Sequence, residues 1–346
     1  MFNKDPPDVP IVVHVNYFIL GLVRINHGGA NNFHVDFYFD AYWKDERCIG
    51  RKEDDIDWTK NWQPGIEITN AQSSTEREFE NYMLDSETGD ITYQTRFKAK
   101  CAANHMDLSE FPFDTQVLDI IFETSSFTSD QVELRMKRGT GNHVESKLVA
   151  PGGLAEWELL ALRELERDSI LEFDGSTYST VEVHIVVKRL AGFYLKKIVT
   201  TICLIVGMSW SVFFMDPADI GDRVGISATM SLTTIAFNFV VNESLPRVNY
   251  YTTMDKYLTF CFVVVVFTVL ENVLVYKLNQ YDGVWKERAA AVDTSSFIAA
   301  VLLTTFATLW FLSNHLTAKN IEDPSADRGY RDRRFGSTCN KNKKND

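Results

Sequence analysis

The amino-acid sequence predicts two successive structural units, an all-β sandwich followed by a bundle of four membrane-spanning helices. Residues 1–190 contain no apolar run long enough to cross a bilayer, but they contain many short segments rich in Val, Ile, Phe and Tyr. After Arg189 the composition changes, and four long apolar stretches follow. We therefore predict a sandwich domain over residues 1–190, a membrane domain over residues 191–316 and a polar, disordered tail over residues 317–346.

About ten short strands, separated by turns at intervals of about eight to twelve residues, indicate a sandwich of two sheets. The first two strand candidates flank the turn-forming residues 26–29, which is typical of an antiparallel hairpin. Strands and helices do not alternate in this part of the sequence, which argues against a parallel α/β sheet. The strand candidates are residues 11–22, 33–43, 65–69, 79–84, 91–99, 116–122, 132–137, 157–163 and 178–189.

The charge of the chain restricts the classes of partner. Residues 1–190 hold 33 Asp and Glu against 19 Lys and Arg, a net charge of −14. This acidic balance argues against nucleic-acid binding. The sequence has no Cys or His pattern of a metal site and no Gly-rich loop before a helix, so we expect no metal, no cofactor and no enzyme. Of the five cysteines, Cys48 and Cys101 are left as a candidate disulfide.

The four apolar stretches cover about residues 198–215, 222–243, 257–278 and 296–313, and each is long enough for a membrane helix. Four crossings place both chain termini on the same side of the bilayer. The loop before the last stretch contains Lys286 and Arg288, which favours the cytoplasmic side for that loop. The acidic domain and both termini are therefore predicted on the extracellular or periplasmic side.

The second stretch differs from the other three because small and polar side chains recur along one of its faces. At 1.5 Å per residue it is long enough to cross a bilayer as a helix. The face is charged at both ends and apolar in its outer half. It consists of Asp222, Gly225, Thr229, Leu232, Ala236, Phe239 and Glu243, which we call the 222–243 stripe. Such a helix suits the wall of a water-filled pore between several copies, or else the interior of a monomeric bundle whose hydroxyls bond to their own backbone.

Short motifs in the sandwich narrow the fold to one family. In chain order they are WKDER at residues 43–47, WQP at 62–64 and FPFD at 111–114. Followed by four spans, this order resembles the pentameric ligand-gated ion channels of the Cys-loop receptor superfamily, and it is most similar to the prokaryotic members of the Erwinia channel type. The resemblance covers about residues 10–316, and it extends without gaps through the second span to Pro246 and Arg247.

Two departures separate this sequence from the animal receptors of that superfamily. Those receptors frame the FPFD loop with two cysteines, whereas Asn104 and Leu118 stand at the matching positions here. The large cytoplasmic domain between the last two spans is also missing, since only about residues 279–293 connect them. Both features agree with the prokaryotic branch, and they imply a bacterial inner membrane.

The resemblance implies a homopentamer, with five subunits around a central pore and the 222–243 stripe forming its wall. Rings of Leu232 and Phe239 would be narrow enough to gate the pore by dewetting. Rings of Asp222 and Glu243 at the two mouths would attract cations and repel anions, so monovalent cations are the expected permeant ions. Arg223 adjoins Asp222 but lies about 100° away around a helix, so it should face the cytoplasm or a neighbouring helix.

The resemblance also implies an agonist site between subunits. Aromatic and acidic side chains fall on the matching positions, and this combination suits a small cationic amine. They are Glu67, Glu123 and Tyr178 on one subunit, Tyr38 and Arg96 on its neighbour, and Phe173 in a predicted capping loop over residues 167–179. Ser125 stands where the Erwinia channel type has an aromatic residue, and packing in the sandwich core is the alternative role for each aromatic side chain.

Coupling between the two units is expected where family elements meet at their boundary. These elements are the turn 26–31, the FPFD residues Phe111, Pro112, Phe113 and Asp114, the pre-span Arg189, and the loop that starts at Pro246. Asp114 and Arg189 are predicted to form a buried ion pair.

Two hypotheses for the stimulus remain open at this stage. One is a cationic amine held by the residues above, and the other is protonation of the acidic and histidine side chains of the outer domain. The alternative function is a membrane-anchored extracellular binding or adhesion protein that does not conduct. Mere anchoring would not require the 222–243 stripe.

Overall fold

The computed structural model describes residues 6–7, 10–26, 31–73, 75–103, 106–124, 126–137, 156–170, 175–243, 245, 247–281 and 283–317. Two predicted site residues, Phe173 and Pro246, lie outside these ranges, as do most of the predicted hairpin turn and the predicted tail from residue 318. Within the described residues, a β-sandwich is followed by four helices long and apolar enough to cross a membrane.

All nine strand candidates are strands in the described part of the chain. The strands are β1 (Ile11–Asn26), β2 (Asn32–Lys44), β3 (Ile66–Ile68), β4 (Glu76–Leu84), β5 (Asp90–Ala102), β6 (Thr115–Thr124), β7 (Val132–Met136), β8 (Trp157–Ile170) and β9 (Thr177–Arg189). They form a five-stranded sheet in the order β4-β5-β2-β1-β7 and a four-stranded sheet in the order β3-β6-β9-β8.

The core of the sandwich is built from alternate residues of facing strands. On β2, the buried Phe37 and Phe39 alternate with Tyr38 and Asp40, which lie on the outer face of the five-stranded sheet. The ring of Phe39 lies 4.9 Å from the ring of Phe122 in the opposite sheet. Burying such a side chain contributes roughly 1.5–3 kcal/mol, so this alternation fixes which residues of each strand remain outside.

The predicted capping loop over residues 167–179 is shorter in the structure. Strand β8 continues to Ile170 and pairs with β9 from Arg189 back to Thr177, with one register shift between Leu159 and Ala161, so only residues 171–176 connect the two strands. The predicted end of β8 at residue 163 is too early, because the polar residues that follow it have a low strand propensity. Ladder hydrogen bonds to β9 override this weak preference.

The four candidate spans follow the sandwich directly. The first, Tyr194–Phe214, combines a π-helical turn over Tyr194–Val199, α1 (Thr200–Ser209) and a 3₁₀ segment over Trp210–Phe214. The others are α2 (Ile220–Asn242), α3 (Thr253–Asn279) and α4 (Val284–Thr317).

The connection between the last two spans is also shorter than predicted. The sequence predicted a loop over residues 279–293, but α4 already begins at Val284, directly after Gly283 with its positive φ of 76°. The alanine run 289–291 and the flanking charged residues are good helix formers, so the helix extends beyond the apolar stretch that hydropathy detects. The predicted loop was therefore wrong for most of its length.

Cys48 and Cys101 do not form a disulfide. Both are buried free thiols of the sandwich. Burial raises the pKa of the Cys101 thiol to about 12, so this side chain stays protonated near neutral pH and acts as a small apolar core residue.

Candidate pore, ligand and coupling sites

Helix α2 has one exposed face and one buried face. All seven residues of the 222–243 stripe are exposed in the subunit, including Leu232 at 67% and Phe239 at 69%. The opposite face is buried against the bundle and consists of Arg223, Ser227, Thr234 and Val241. The stripe therefore lies on a surface that the other helices of the same subunit leave uncovered.

Hydroxyl groups along α2 bond to the helix backbone. Thr229 Oγ1 donates to the carbonyl of Gly225 at 2.8 Å, and Thr233 Oγ1 donates to that of Thr229 at 2.8 Å. Each hydroxyl proton is thus directed along the helix, which leaves the oxygen lone pairs available on the exposed side. A hydroxyl whose proton is already used in this way can only accept from the exposed side, and such an oxygen suits contact with a cation.

Arg223 is not part of the exposed stripe. It is 1% exposed, its Nη2 lies 2.5 Å from Asp293 Oδ1 of α4, and its Nε donates to the Val212 carbonyl at 3.0 Å. This agrees with the expectation that Arg223 faces a neighbouring helix. The positive charge next to Asp222 is consequently paired inside the bundle, and the exposed end of α2 carries the carboxylate.

Three predicted ligand residues lie on the outer face of the four-stranded sheet. Glu67 of β3 is directly opposite Glu123 of β6, which is in turn opposite Thr180 of β9. Tyr178 lies two residues along β9 from Thr180 and therefore on the same face. Two carboxylates and an aromatic ring on one face of a sheet form an acidic and aromatic surface, so this row is a candidate contact for a cationic group.

The other two described ligand residues lie on the outer face of the five-stranded sheet. Tyr38 of β2 is directly opposite Arg96 of β5, and the Arg96 guanidinium carbon lies 5.8 Å from the centre of the Tyr38 ring. Arg96 donates to Asp36 through two bonds of 2.9 and 2.7 Å and to Glu78 at 2.7 Å. Hydrogen bonding to Asp36 raises the pKa of Arg96 still further above its ordinary value, so the guanidinium remains charged and held in place.

Sequence reasoning missed the acidic partners of Arg96. Asp36 and Glu78 come from different strands, and only the sheet order β4-β5-β2 brings them together. The only signal in the sequence was the position of Asp36, two residues before Tyr38 and hence on the same face of a strand.

The two groups of ligand residues cannot meet within one subunit. They occupy the outer faces of two sheets whose inner faces share one apolar core. A site that uses both groups therefore requires the four-stranded sheet of one subunit to face the five-stranded sheet of another.

The predicted ion pair between Asp114 and Arg189 is present and fully buried. Arg189 Nε lies 2.7 Å from Asp114 Oδ1, and Nη2 lies 3.1 Å from Oδ2. The guanidinium also lies over the rings of Phe111 and Trp157, at 4.7 and 4.1 Å from their centres. Gln116 donates to the same carboxylate at 2.8 Å, so the charges are paired and hydrogen-bonded, as buried charges must be.

The FPFD residues pack directly on the membrane helices. The Phe113 ring lies 5.2 Å from Phe311 of α4, and the Phe111 ring lies 4.8 Å from Tyr194 at the start of the first span. Pro112 lies between the two phenylalanines, and the Phe111-Pro112 peptide bond is cis. The residues predicted to couple the units therefore contact both of them.

Backbone contacts that the sequence did not reveal join the FPFD loop to the start of α3. The amide of Thr253 donates to the Ser109 carbonyl at 2.9 Å, and the amide of Met254 donates to the Phe111 carbonyl at 3.1 Å. Tyr250 accepts a bond from the Leu108 amide at 2.9 Å through its hydroxyl oxygen. Free amides at a helix N-terminus need acceptors, and here the outer domain supplies them.

Comparison with known proteins agrees with this architecture. The chain matches the family model for the neurotransmitter-gated ion-channel ligand binding domain over residues 3–191, and that for the neurotransmitter-gated ion-channel transmembrane region over residues 202–282. The first match alone covers more than half of the 346 residues.

Several animal proteins are similar to the chain. The gamma-aminobutyric acid receptor subunit rho-1 of Mus musculus is 28% identical over 260 residues, which is 72% of this chain and 53% of that protein. The subunit rho-2 of Homo sapiens is 28% identical over 260 residues, 72% of this chain and 54% of its own length. The glutamate-gated chloride channel of Drosophila melanogaster is 24% identical over 317 residues, 85% of this chain and 66% of that protein.

The chain spans about half the length of the rho subunits it matches. The comparison confirms, at the level of the family, the resemblance that the motifs indicated. With its ligand-binding sandwich and four apolar helices, the chain belongs to the neurotransmitter-gated ion channels, a family of receptors and channels rather than enzymes.

Proposed function

We propose that this chain forms a homopentameric, ligand- or proton-gated channel that conducts monovalent cations through a pore lined by α2. The observation that carries the proposal is the exposure of the whole 222–243 stripe on one side of the subunit. That face combines the carboxylates Asp222 and Glu243 with the large apolar side chains Leu232 and Phe239. Facing lipid would bury the carboxylates in hydrocarbon, and facing bulk water would expose the large apolar side chains. A closed pore between five copies avoids both costs.

The charges of the stripe support cations as the permeant ions. Carboxylates stand at both ends of α2, the nearest guanidinium is paired inside the bundle, and the Thr229 hydroxyl offers lone pairs. The Drosophila relative is named as a chloride channel, so chloride permeation is the outcome that competes with this proposal.

Selectivity is tested by the reversal potential of the purified protein in a planar bilayer with a tenfold NaCl gradient. We expect a potential close to the sodium equilibrium value, about 59 mV for a tenfold gradient, and a smaller value for Glu243→Gln. Glu287→Gln, an exposed carboxylate at the start of α4, is the matched control and should leave the potential unchanged. A potential that follows the chloride gradient would rule out the cation proposal.

Placement in the prokaryotic branch, in a bacterial inner membrane with both termini outside, is a further part of the proposal. It is supported by the absence of cysteines at positions 104 and 118 and by the short connection between Asn279 and Val284. The outer domain is proposed to end near residue 190 and the membrane domain near residue 316.

The stimulus is proposed to act between subunits, where Glu67, Glu123 and Tyr178 of one copy face Tyr38 and Arg96 of the next. An ammonium group would find carboxylates on one wall and an aromatic ring on the other. A proton-driven response would use carboxyls of the same surface. Asp40 on β2 is one of them, since burial raises its pKa above the ordinary value and protonates it at a higher pH than an exposed aspartate.

Glu123→Gln is expected to shift the midpoint of activation by about tenfold or more, because a contact with a charged group is worth roughly 1.5–3 kcal/mol. The measurement is a pair of dose curves, one in a small primary amine at fixed pH and one in pH without amine. Glu133→Gln on β7 removes a carboxylate elsewhere on the sandwich and serves as the control. If Glu123→Gln leaves both curves unchanged, the proposed site is wrong.

A further inference from the structure

Charged side chains from three helices meet at the end of the membrane domain that is proposed to face the cytoplasm. Arg223 of α2 is buried, its Nη2 lies 2.5 Å from Asp293 Oδ1 of α4, and its Nε donates to the Val212 carbonyl of the first span at 3.0 Å. Glu271 of α3 completes the group, because its carboxyl is hydrogen-bonded with that of Asp293. This cluster of Arg223, Glu271 and Asp293 therefore connects all four spans of one subunit.

The hydrogen bond between the two carboxyl groups requires a proton, because an ionised carboxylate can only accept. Asp293 also accepts from the Arg223 guanidinium, which is the bonding of an ionised carboxylate. Both oxygens of Glu271 are buried, and no described residue donates a hydrogen bond to either of them. The neighbouring amide of Asn272 donates to Ser227 instead, at 2.7 Å. The proton of the pair therefore belongs to Glu271, which donates it to Asp293.

With this proton the cluster is neutral, since it holds one guanidinium, one carboxylate and one uncharged carboxyl. Asp293 and Arg223 are the charged side chains that act on Glu271. The lysines of the first span, Lys196 and Lys197, lie at the opposite end of that span. Loss of the proton would place two adjacent carboxylates beside a single guanidinium, in surroundings that stabilise a net charge poorly. The protonated form therefore fits the packed bundle, and the ionised form works against it.

We propose that Glu271 is a proton-binding site inside the membrane domain, through which the pH of the cytoplasmic solution acts on α2. Release of the proton would make Glu271 and Asp293 compete for the guanidinium of Arg223. Arg223 directly follows Asp222 of the 222–243 stripe, so a shift of this guanidinium moves the inner end of the exposed face. This last step rests on the proposed function of that face as a pore wall, whereas the proton site itself does not.

The proton site is tested by infrared spectroscopy of the full chain in a maltoside detergent, which has no carbonyl band of its own. Near pH 7 exposed Asp and Glu are ionised, since their pKa values lie near 4. We expect wild type minus Glu271→Gln to show the C=O band of a protonated carboxyl group. Asp293→Asn should lose the same band, because Glu271 then becomes the ionised partner of Arg223. The control Glu287→Gln should keep it, and each variant is measured as the oligomer that wild type forms.

The link to α2 is tested in excised inside-out patches, where the pH of the cytoplasmic solution is raised from 7 to 9 at constant outer pH. We expect the open probability of wild type to change by about tenfold or more, because five copies act together, and that of Glu271→Gln to stay constant. Absence of the carboxyl band from the difference spectrum would overturn the proton site. A band together with no response to cytoplasmic pH in a conducting channel would overturn the link to α2. Absence of conduction would count against the proposed function and leave the proton site standing.

Discussion

Arg189→Gln is expected to lower the free energy of unfolding by about 3–5 kcal/mol, because it leaves the Asp114 carboxylate buried with an uncompensated charge. The substitution also removes the guanidinium that packs on Phe111 and Trp157. For a unit of roughly 150–250 residues, such as the matched ligand-binding domain, a loss of this size corresponds to a decrease of about 6–20 °C in the thermal midpoint. The measurement is the temperature at which half of the detergent-solubilised protein loses its size-exclusion peak.

Two further variants distinguish the effect of breaking the buried ion pair from the effect of removing an arginine charge anywhere on the sandwich. Arg135→Gln removes a half-exposed arginine that pairs with Glu133 on β7, and we expect a cost below about 1 kcal/mol. Arg189→Gln combined with Asp114→Asn removes both charges and should cost less than the sum of the single substitutions. Equal midpoints for Arg189→Gln and Arg135→Gln would show that the buried pair does not stabilise the boundary between the units.

Leu232→Thr is expected to shift the equilibrium between closed and open states toward the open state by at least tenfold. The side chain is 67% exposed on the stripe, so in the proposed pentamer five copies would form an apolar ring. Exposing one such side chain to water costs roughly 1.5–3 kcal/mol, and a hydroxyl in its place removes most of that cost from each copy. The variant should be activated at a lower concentration of agonist or protons, and it should show a leak current when neither is added.

The control for this variant is a polar substitution on the same helix away from the stripe. Ile226 is partly buried against the bundle, so Ile226→Thr changes the same helix without hydrating the ring. We expect its activation curve to stay near that of wild type. A leak in Ile226→Thr but not in Leu232→Thr would place the gate elsewhere.

The order of the elements could be predicted from the sequence because it depends on local periodicity. Alternating burial along the strands and apolar length in the spans are visible without knowledge of the fold. The predicted end of β8 and the predicted start of α4 were wrong because the prediction relied only on this local periodicity. Ladder pairing to β9 carries β8 through polar residues to Ile170, and helix propensity starts α4 at Val284, well before its apolar part.

The 222–243 stripe was also predictable, since a single helix fixes the relative direction of its side chains. Contacts between distant parts of the chain were harder to predict from the sequence. The partner of Arg223 is 70 residues away in α4, and Arg96 finds Asp36 and Glu78 only through the sheet order. The ion pair of Asp114 with Arg189 was found because family motifs, rather than spacing, suggested it.

The central claim, that the exposed face of α2 lines a conducting pore, is tested most directly by cysteine accessibility. Thr229 is exposed on the stripe, whereas Ser227, two positions earlier, is fully buried. We expect a small positively charged thiol reagent applied to open channels to reduce the current of Thr229→Cys. The same reagent should leave Ser227→Cys and wild type unchanged. Modification of Ser227→Cys together with an unaffected Thr229→Cys would contradict the proposed pore.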